Sequence, residues 1–309
     1  MLVWQPQLPS NFVGAQTPTC HAENSQPNQK DSEENQKAQK RAESSSKESL
    51  TLSDWAPLHR WPAEAIWQAV VPRLPGFSIE ILPEIDSTNT ELMRRAKAGR
   101  HDPILLVAER QTAGRGRQGR IWMGEPGDAL TFSIGLPFQP SHWSGLSLAV
   151  GLSLAESLGT DIQLKWPNDL WRQQRKLGGI LIEAASQGTQ SYAVIGVGLN
   201  IQKPAAHELR TPAAAIAEFW QGATAPLVLE RVAAPLCTAL LAFESEGFAS
   251  LQSRFNARDA LLGSQVSTSD GQQGLCRGVD ERGALQLLTP HGLIKVSSAE
   301  VSVRPAEGA

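Results

Sequence analysis

Glycines and arginines alternate in Gln111-Thr112-Ala113-Gly114-Arg115-Gly116-Arg117-Gln118-Gly119-Arg120, a composition suited to holding an anion. Gly114, Gly116 and Gly119 permit backbone conformations closed to other residues and let amide N–H groups approach a ligand. Arg115, Arg117 and Arg120 add positive charge that persists at any working pH. The spacing Gly114-x-Gly116-x-x-Gly119 also fits a dinucleotide fingerprint, but the context fails. Gly124, Pro126 and Gly127 follow where a helix should open, and Gln139 stands about 20 residues on where an acidic group is required. No Gly-Lys-Ser/Thr closes the run, which excludes a P-loop. Taken alone, the stretch has an arginine-rich surface turn as its bland, less favoured alternative.

Other stretches carry reactive or hydrogen-bonding groups. In Asp86-Ser87-Thr88-Asn89-Thr90-Glu91, Thr88 followed by Glu91 predicts a capping box, leaving Ser87 and Asn89 as further polar groups at a helix N-terminus. Lys165-Trp166-Pro167-Asn168-Asp169 ends a short strand, and Val194-Ile195-Gly196-Val197-Gly198-Leu199-Asn200 is another apolar strand with a polar end. Lys176-Leu177-Gly178-Gly179-Ile180-Leu181-Ile182-Glu183 puts a cation and a glycine pair at the start of an apolar strand. Glycine weakens a strand unless something must approach its backbone closely. None of the six histidines has metal-ligand or triad spacing, so no protein metal site is expected.

The elements that must position these groups follow from periodicity. Pro103 to Ala108 is a buried strand delivering the arginine loop, and Phe77-Ser78-Ile79-Glu80-Ile81 and Leu130 to Leu136 alternate as strands. Leu92 and Ala96 with a stop at Gly99 predict a three-turn helix, and Ser144 to Leu158 predicts one apolar on most faces, capped by Ser144. From Val228, the apolar spacing of Leu229, Val232, Leu236, Leu240 and Phe243 predicts an amphipathic helix containing a core Cys237. Lys203 to Thr211 is polar and irregular. Beyond Ala260 short alternating runs with Asp270-Gly271 and Arg282-Gly283 turns predict a small β-barrel.

Composition bounds the class. A chain of 309 residues that is 41% hydrophobic can bury a sizeable core, and a net charge of -3 argues against bulk nucleic-acid binding. Cys20, Cys237 and Cys276 lack disulfide or metal spacing, there is no basic leader, and no uninterrupted apolar run reaches a membrane span, so a cytoplasmic protein is expected. Residues 1–52 are Gln-, Asn- and Ser-rich and predict a disordered extension, for which a misassigned upstream start codon is an equally simple account. The expected organisation is that extension, a catalytic domain over 53–261 and a barrel over 262–309.

Together, the arginine loop, the Lys165–Asp169 motif, the Lys176–Glu183 strand and the Val194–Asn200 strand resemble the biotin protein ligase family across residues 77–304. The resemblance implies an α+β fold: a central mixed sheet with flanking helices, like class II aminoacyl-tRNA synthetases, plus an SH3-like C-terminal barrel. It implies that biotin and MgATP form biotinoyl-5'-AMP, which a lysine of the biotin carboxyl carrier protein of acetyl-CoA carboxylase then attacks. By similarity Ser87, Thr88, Asn89 and Gln111 would bind the ureido head of biotin. Gly116, Gly178 and Gly179 would admit biotin and its adenylate to the backbone. Lys176, Arg115 and Arg117 would carry the carboxylate and phosphate charge. Arg120, Trp122, Asn168, Asn200 and Arg304 would complete the nucleotide side, although ordinary packing accounts equally for Trp122. Asp169 would accept the incoming lysine's proton or hold Mg2+ and a neighbouring cation.

Two departures qualify the resemblance. A polar low-complexity segment stands where many bacterial members carry a winged helix-turn-helix, which weighs against a biotin-responsive DNA-binding repressor, and Gln118 replaces a residue that is often basic. The rivals are a lipoate or octanoate ligase or transferase, against which the arginine loop and Ser87-Thr88-Asn89 argue, and a non-catalytic ligand-binding module. Monomer and homodimer are both compatible with the sequence.

Overall fold

The parallel pair at the heart of the fold is made by a short crossover. Strand β2 (Ser78–Ile85) runs into helix α2 (Thr88–Lys97), which returns the chain to β3 (Ile104–Gln111) beside β2. In this computed structural model the described residues are 2–4, 60–122, 124–187, 190–204, 211–297 and 303–305. The remaining elements of the large sheet are β1 (Leu2–Trp4), β4 (Ala129–Pro137), β5 (Gln163–Lys165), β6 (Asp169–Arg172), β7 (Arg175–Gln187) and β8 (Gln190–Asn200). Their order is β1-β2-β3-β4-β8-β7-β6-β5, with every pairing but β2–β3 antiparallel, so the sheet is mixed. A helix α1 (Ala63–Val70) precedes β2.

Packing follows the apolar pattern. Leu92 and Ala96 of α2 close against Leu106, Tyr192 and Val194 of the sheet. Helix α3 (Leu146–Leu158) is buried around most of its circumference because it lies between β5–β7 and helix α4 (Ala225–Glu246). Helix α4 has the length and mean hydropathy of a membrane span, yet Glu230 and Arg231 interrupt it and Val228, Leu229, Val232, Leu236, Leu240 and Phe243 are buried inside the molecule. It is therefore a core helix, and Cys237 on it is a buried free thiol. A short α5 (Gln252–Asn256) leads to a second sheet of β9 (Gln265–Thr268), β10 (Gln273–Val279), β11 (Leu285–Thr289), β12 (Gly292–Val296) and β13 (Val303–Pro305), ordered β12-β11-β10-β9-β13.

The small sheet is bonded to the large one. Trp166 Nε1, buried at the end of β5, donates to Gly283 O at 3.1 Å, and Asn256 bridges to Val279 through its carboxamide. The Gly271 and Gly283 turns take left-handed φ of 89° and 76°, as the Asp-Gly and Arg-Gly pairs predict.

Three sequence expectations need correction. Thr88 is not the cap of α2: Ser87 is, its Oγ accepting from Thr90 N, while Thr88 turns to Gln111 and Glu91 pairs with Arg94 and Arg95. Ser144 does not cap α3, because Gly145 with φ of 84° takes that place and Ser144 Oγ donates to Arg282 O at 2.6 Å. Within the segment 1–52, the backbone of Leu2–Trp4 pairs antiparallel with β2, and the rest of that segment lies outside the described residues. So does 205–210 of the expected irregular stretch.

Candidate active site

A cleft of about 930 Å³, counting the solvent at its mouth, opens where β3, β4, β7 and β8 meet the arginine loop. Ser87, Thr88, Asn89, Gln111, Arg115, Gly116, Arg117, Arg120, Trp122, Asn168, Asp169, Lys176 and Gly179 line it. Gly178, Asn200 and Arg304 do not. A β-carbon on Gly178 would lie 2.6 Å from Gly198 O, so close strand packing alone requires that glycine. Asn200 is buried and its amide donates to Lys176 O and Ala214 O, which fastens β8 to the base of the lysine strand. Arg304 is exposed on β13, while its neighbour Val303 reaches the cleft.

One end of the cleft is a neutral hydrogen-bonding recess. Gln111 Oε1 accepts from Thr88 N at 2.8 Å and Thr88 Oγ1 at 3.2 Å. Ser133 Oγ, fully buried on β4, lies 2.7 Å from Thr88 Oγ1 and 2.6 Å from Asn89 Oδ1. Asn89 Nδ2 in turn donates to Leu181 O and Glu183 Oε2. Buried polar groups need such partners, and a network this closed fixes the orientation of each member. Gly196 is required for it, since a β-carbon there would lie 2.2 Å from Asn89 Oδ1.

The arginine loop folds back on itself as a flap. Gly116 N donates to Arg120 O at 2.7 Å, Trp122 N donates to Gly114 O at 2.9 Å, and Arg115 bridges Ile121. The reversal is made at Gln118 and Gly119, with φ of 56° and 69°. Trp122 then lies on the strand β8, where a β-carbon on Gly198 would come within 2.4 Å of its ring. Its Nε1 is buried with no hydrogen-bond partner among the described residues, a donor a bound ligand can satisfy.

Cations gather at the other end. Lys176 Nζ donates to Asp169 Oδ1 at 2.7 Å, and Arg117 Nη1 donates to Asn168 Oδ1 at 3.3 Å. Burial pulls the Arg117 guanidinium below its ordinary pKa, with Asp169 opposing and Arg120 adding to the effect. Lys165 is likewise depressed, chiefly by burial and partly by Lys176, Arg120 and Arg304, against the pull of Asp169. Cations held close in a partly dry site gain most when an anion enters. The cleft thus joins a recess fit for a neutral donor–acceptor group to a positively charged end.

The sequence of this chain matches the Biotin/lipoate A/B protein ligase family over residues 81–200 and the Biotin protein ligase C terminal domain over 266–304. It is 38% identical over 259 residues to the Bifunctional ligase/repressor BirA of Escherichia coli, covering 77% of this chain and 78% of that protein. The chain belongs to the biotin protein ligase family. It is also 32% identical to the Biotin--[acetyl-CoA-carboxylase] ligase of Mycobacterium tuberculosis, over 72% of this chain and 88% of the relative. Among solved structures, the biotin protein ligase from Aquifex aeolicus in complex with biotin and ATP superposes with a TM-score of 0.64 at 29% identity, over 74% of this chain and 99% of that one.

Several groups that line or back this ligase-family cleft have no role assigned by the sequence alone. Thr131 and Ser133 interrupt an otherwise apolar β4, and that interruption was the available signal. Lys165 and Glu183 stood inside quoted motifs without a role. Gly196 and Gly198 share a strand with bulky apolar residues, so their need is visible only once Asn89 and Trp122 are seen against them.

Proposed function

We propose that this protein activates biotin with MgATP and transfers it to a lysine of a biotin carboxyl carrier protein. The observation that carries this is the adjacency, in one cleft, of the neutral Thr88–Gln111 recess, backed by the buried Ser133, and the Arg117–Lys176 cation cluster. The recess matches the ureido head of biotin, and the cations match its carboxylate and the nucleotide α-phosphate. In the first step a carboxylate oxygen attacks the α-phosphorus and pyrophosphate leaves. In the second, the acceptor amine attacks the anhydride carbonyl, AMP leaves and the amine gives up a proton. Fixed cations stabilise the charge that builds in both transition states.

Mg2+ would enter on the nucleotide phosphates. Among the described residues no cluster of three metal-ligating side chains exists, and Asp169 is the carboxylate in the cleft that would meet the ion or take the amine proton. Trp122, whose indole N–H has no partner among the described residues, supports placing the base of the nucleotide beside β8. The domain arrangement we favour is a catalytic unit over 53–261 and a barrel over 262–309. Buried free thiols at Cys237 and Cys276 fit a reducing cytoplasm.

Biotin-dependent exchange of pyrophosphate into ATP tests the first step, with lipoate and octanoate as competing acids. Exchange with biotin alone is expected. Exchange with lipoate and none with biotin would replace this proposal with lipoate activation.

A further inference from the structure

Glu183 uses its two carboxylate oxygens on two different elements. Oε1 accepts from Arg115 Nη2 at 2.8 Å, and Oε2 accepts from Asn89 Nδ2 at 3.0 Å. Arg115 Nη1 also reaches Thr90 Oγ1 at 3.3 Å, so the guanidinium is held by α2 as well as by β7. Asn89 is fixed from the far side by Ser133 on β4. A chain of bonds therefore runs from the buried centre of the sheet, through Asn89 and Glu183, to the first arginine of the flap. The second arginine, Arg117, stands across the fold of the flap at Asn168, near the Lys176–Asp169 pair.

We propose that Glu183 is a positioning residue that pins the flap through Arg115 and so presents Arg117 to the reacting phosphate. This rests on the adenylating activity proposed above. It gives the two arginines different work: Arg115 is an anchor whose charge is taken by a carboxylate, and Arg117 is the cation offered to the nucleotide. An isolated surface ion pair contributes little, and Arg115 is about half exposed at 48%. Here the pair joins the flap's own backbone bonds and the Arg117–Asn168 contact in setting the position of a glycine-rich flap, and it is the bond that ties the flap's first arginine to β7. A small loss in pairing therefore appears as a loss in flap occupancy.

Glu183→Gln keeps an acceptor for Asn89 and removes the charge that holds Arg115. Against wild type, it is expected to raise KM for ATP about fivefold in pyrophosphate exchange, the range of a partly exposed pair, with KM for biotin unchanged. Trypsin should cut the flap of the variant faster. Arg115→Ala should show a similar ATP effect, and Glu183→Gln combined with Arg115→Ala should be no worse than Arg115→Ala. Losses that multiply in the double variant, or a Glu183→Gln protein with wild-type ATP kinetics and wild-type cleavage, would overturn the tether. A wild type inactive in exchange would instead sink the proposed function, while the cleavage comparison would still decide the tether.

Discussion

Lys176 Nζ sits 2.7 Å from Asp169 Oδ1, and the two come from adjacent antiparallel strands, β7 and β6. The pair holds the ammonium in place at the cleft wall. Lys176→Ala is expected to lower pyrophosphate exchange about tenfold or more, equivalent to about 1.4 kcal/mol of lost transition-state stabilisation. Asp169→Asn should slow the transfer to the carrier lysine more than the exchange if the carboxylate takes the amine proton, and the exchange as much as the transfer if it meets Mg2+. Measuring both steps in each variant separates these outcomes.

Gly198 gives Trp122 its seat. A β-carbon there would lie 2.4 Å from the indole ring, so Gly198→Ala must displace the ring or the strand. Overpacking of this kind costs about 1–3 kcal/mol. If Trp122 receives the adenine, the variant weakens ATP binding while biotin binding holds, and isothermal titration with each ligand checks it. An equal loss for both would locate the damage in the whole cleft.

Ser133 is fully buried and joins Thr88 to Asn89. Ser133→Ala leaves two buried polar side chains short of a partner, at a cost of about 1–3 kcal/mol in stability. It should also raise KM for biotin with little effect on KM for ATP. Chemical denaturation and steady-state kinetics read the two consequences separately.

Asp259 packs between the two sheets, with Leu261 N and the Cys276 thiol as neighbours, and burial raises its pKa from the ordinary 3.8 to about 6. An unfolded chain loses this proton near pH 3.8, the folded one near pH 6. Stability contributed by the protonated form is therefore present below about pH 4 and lost as pH rises through about 6, a difference of about 3 kcal/mol. Asp259→Asn should flatten that slope and stabilise the protein at neutral pH. Urea denaturation at pH 4, 5, 6 and 7 checks it, and parallel curves for the two proteins would rule it out.

Local chemistry made much of this protein legible in its sequence. The glycine–arginine alternation marks a loop able to cradle an anion, a reading that competes in the sequence alone with a plain surface turn, and the apolar periods of α2, α3 and α4 need no partner to be recognised. Arg-Gly and Asp-Gly turns likewise declare themselves, since positive φ is a property of one residue. What only the tertiary structure decided are relationships between distant segments. Ser87 rather than Thr88 caps α2, because Gln111, 23 positions away, captures Thr88. Gly178 and Gly198 look alike on paper, yet one makes room for a strand and the other for Trp122. Asn200 closes a backbone joint outside the cleft, and Arg115 spends its charge on Glu183, 68 positions along the chain. A side chain's type fixes which bonds it is able to make. Which of them it does make depends on what folding brings within about 3 Å, the reach of a hydrogen bond.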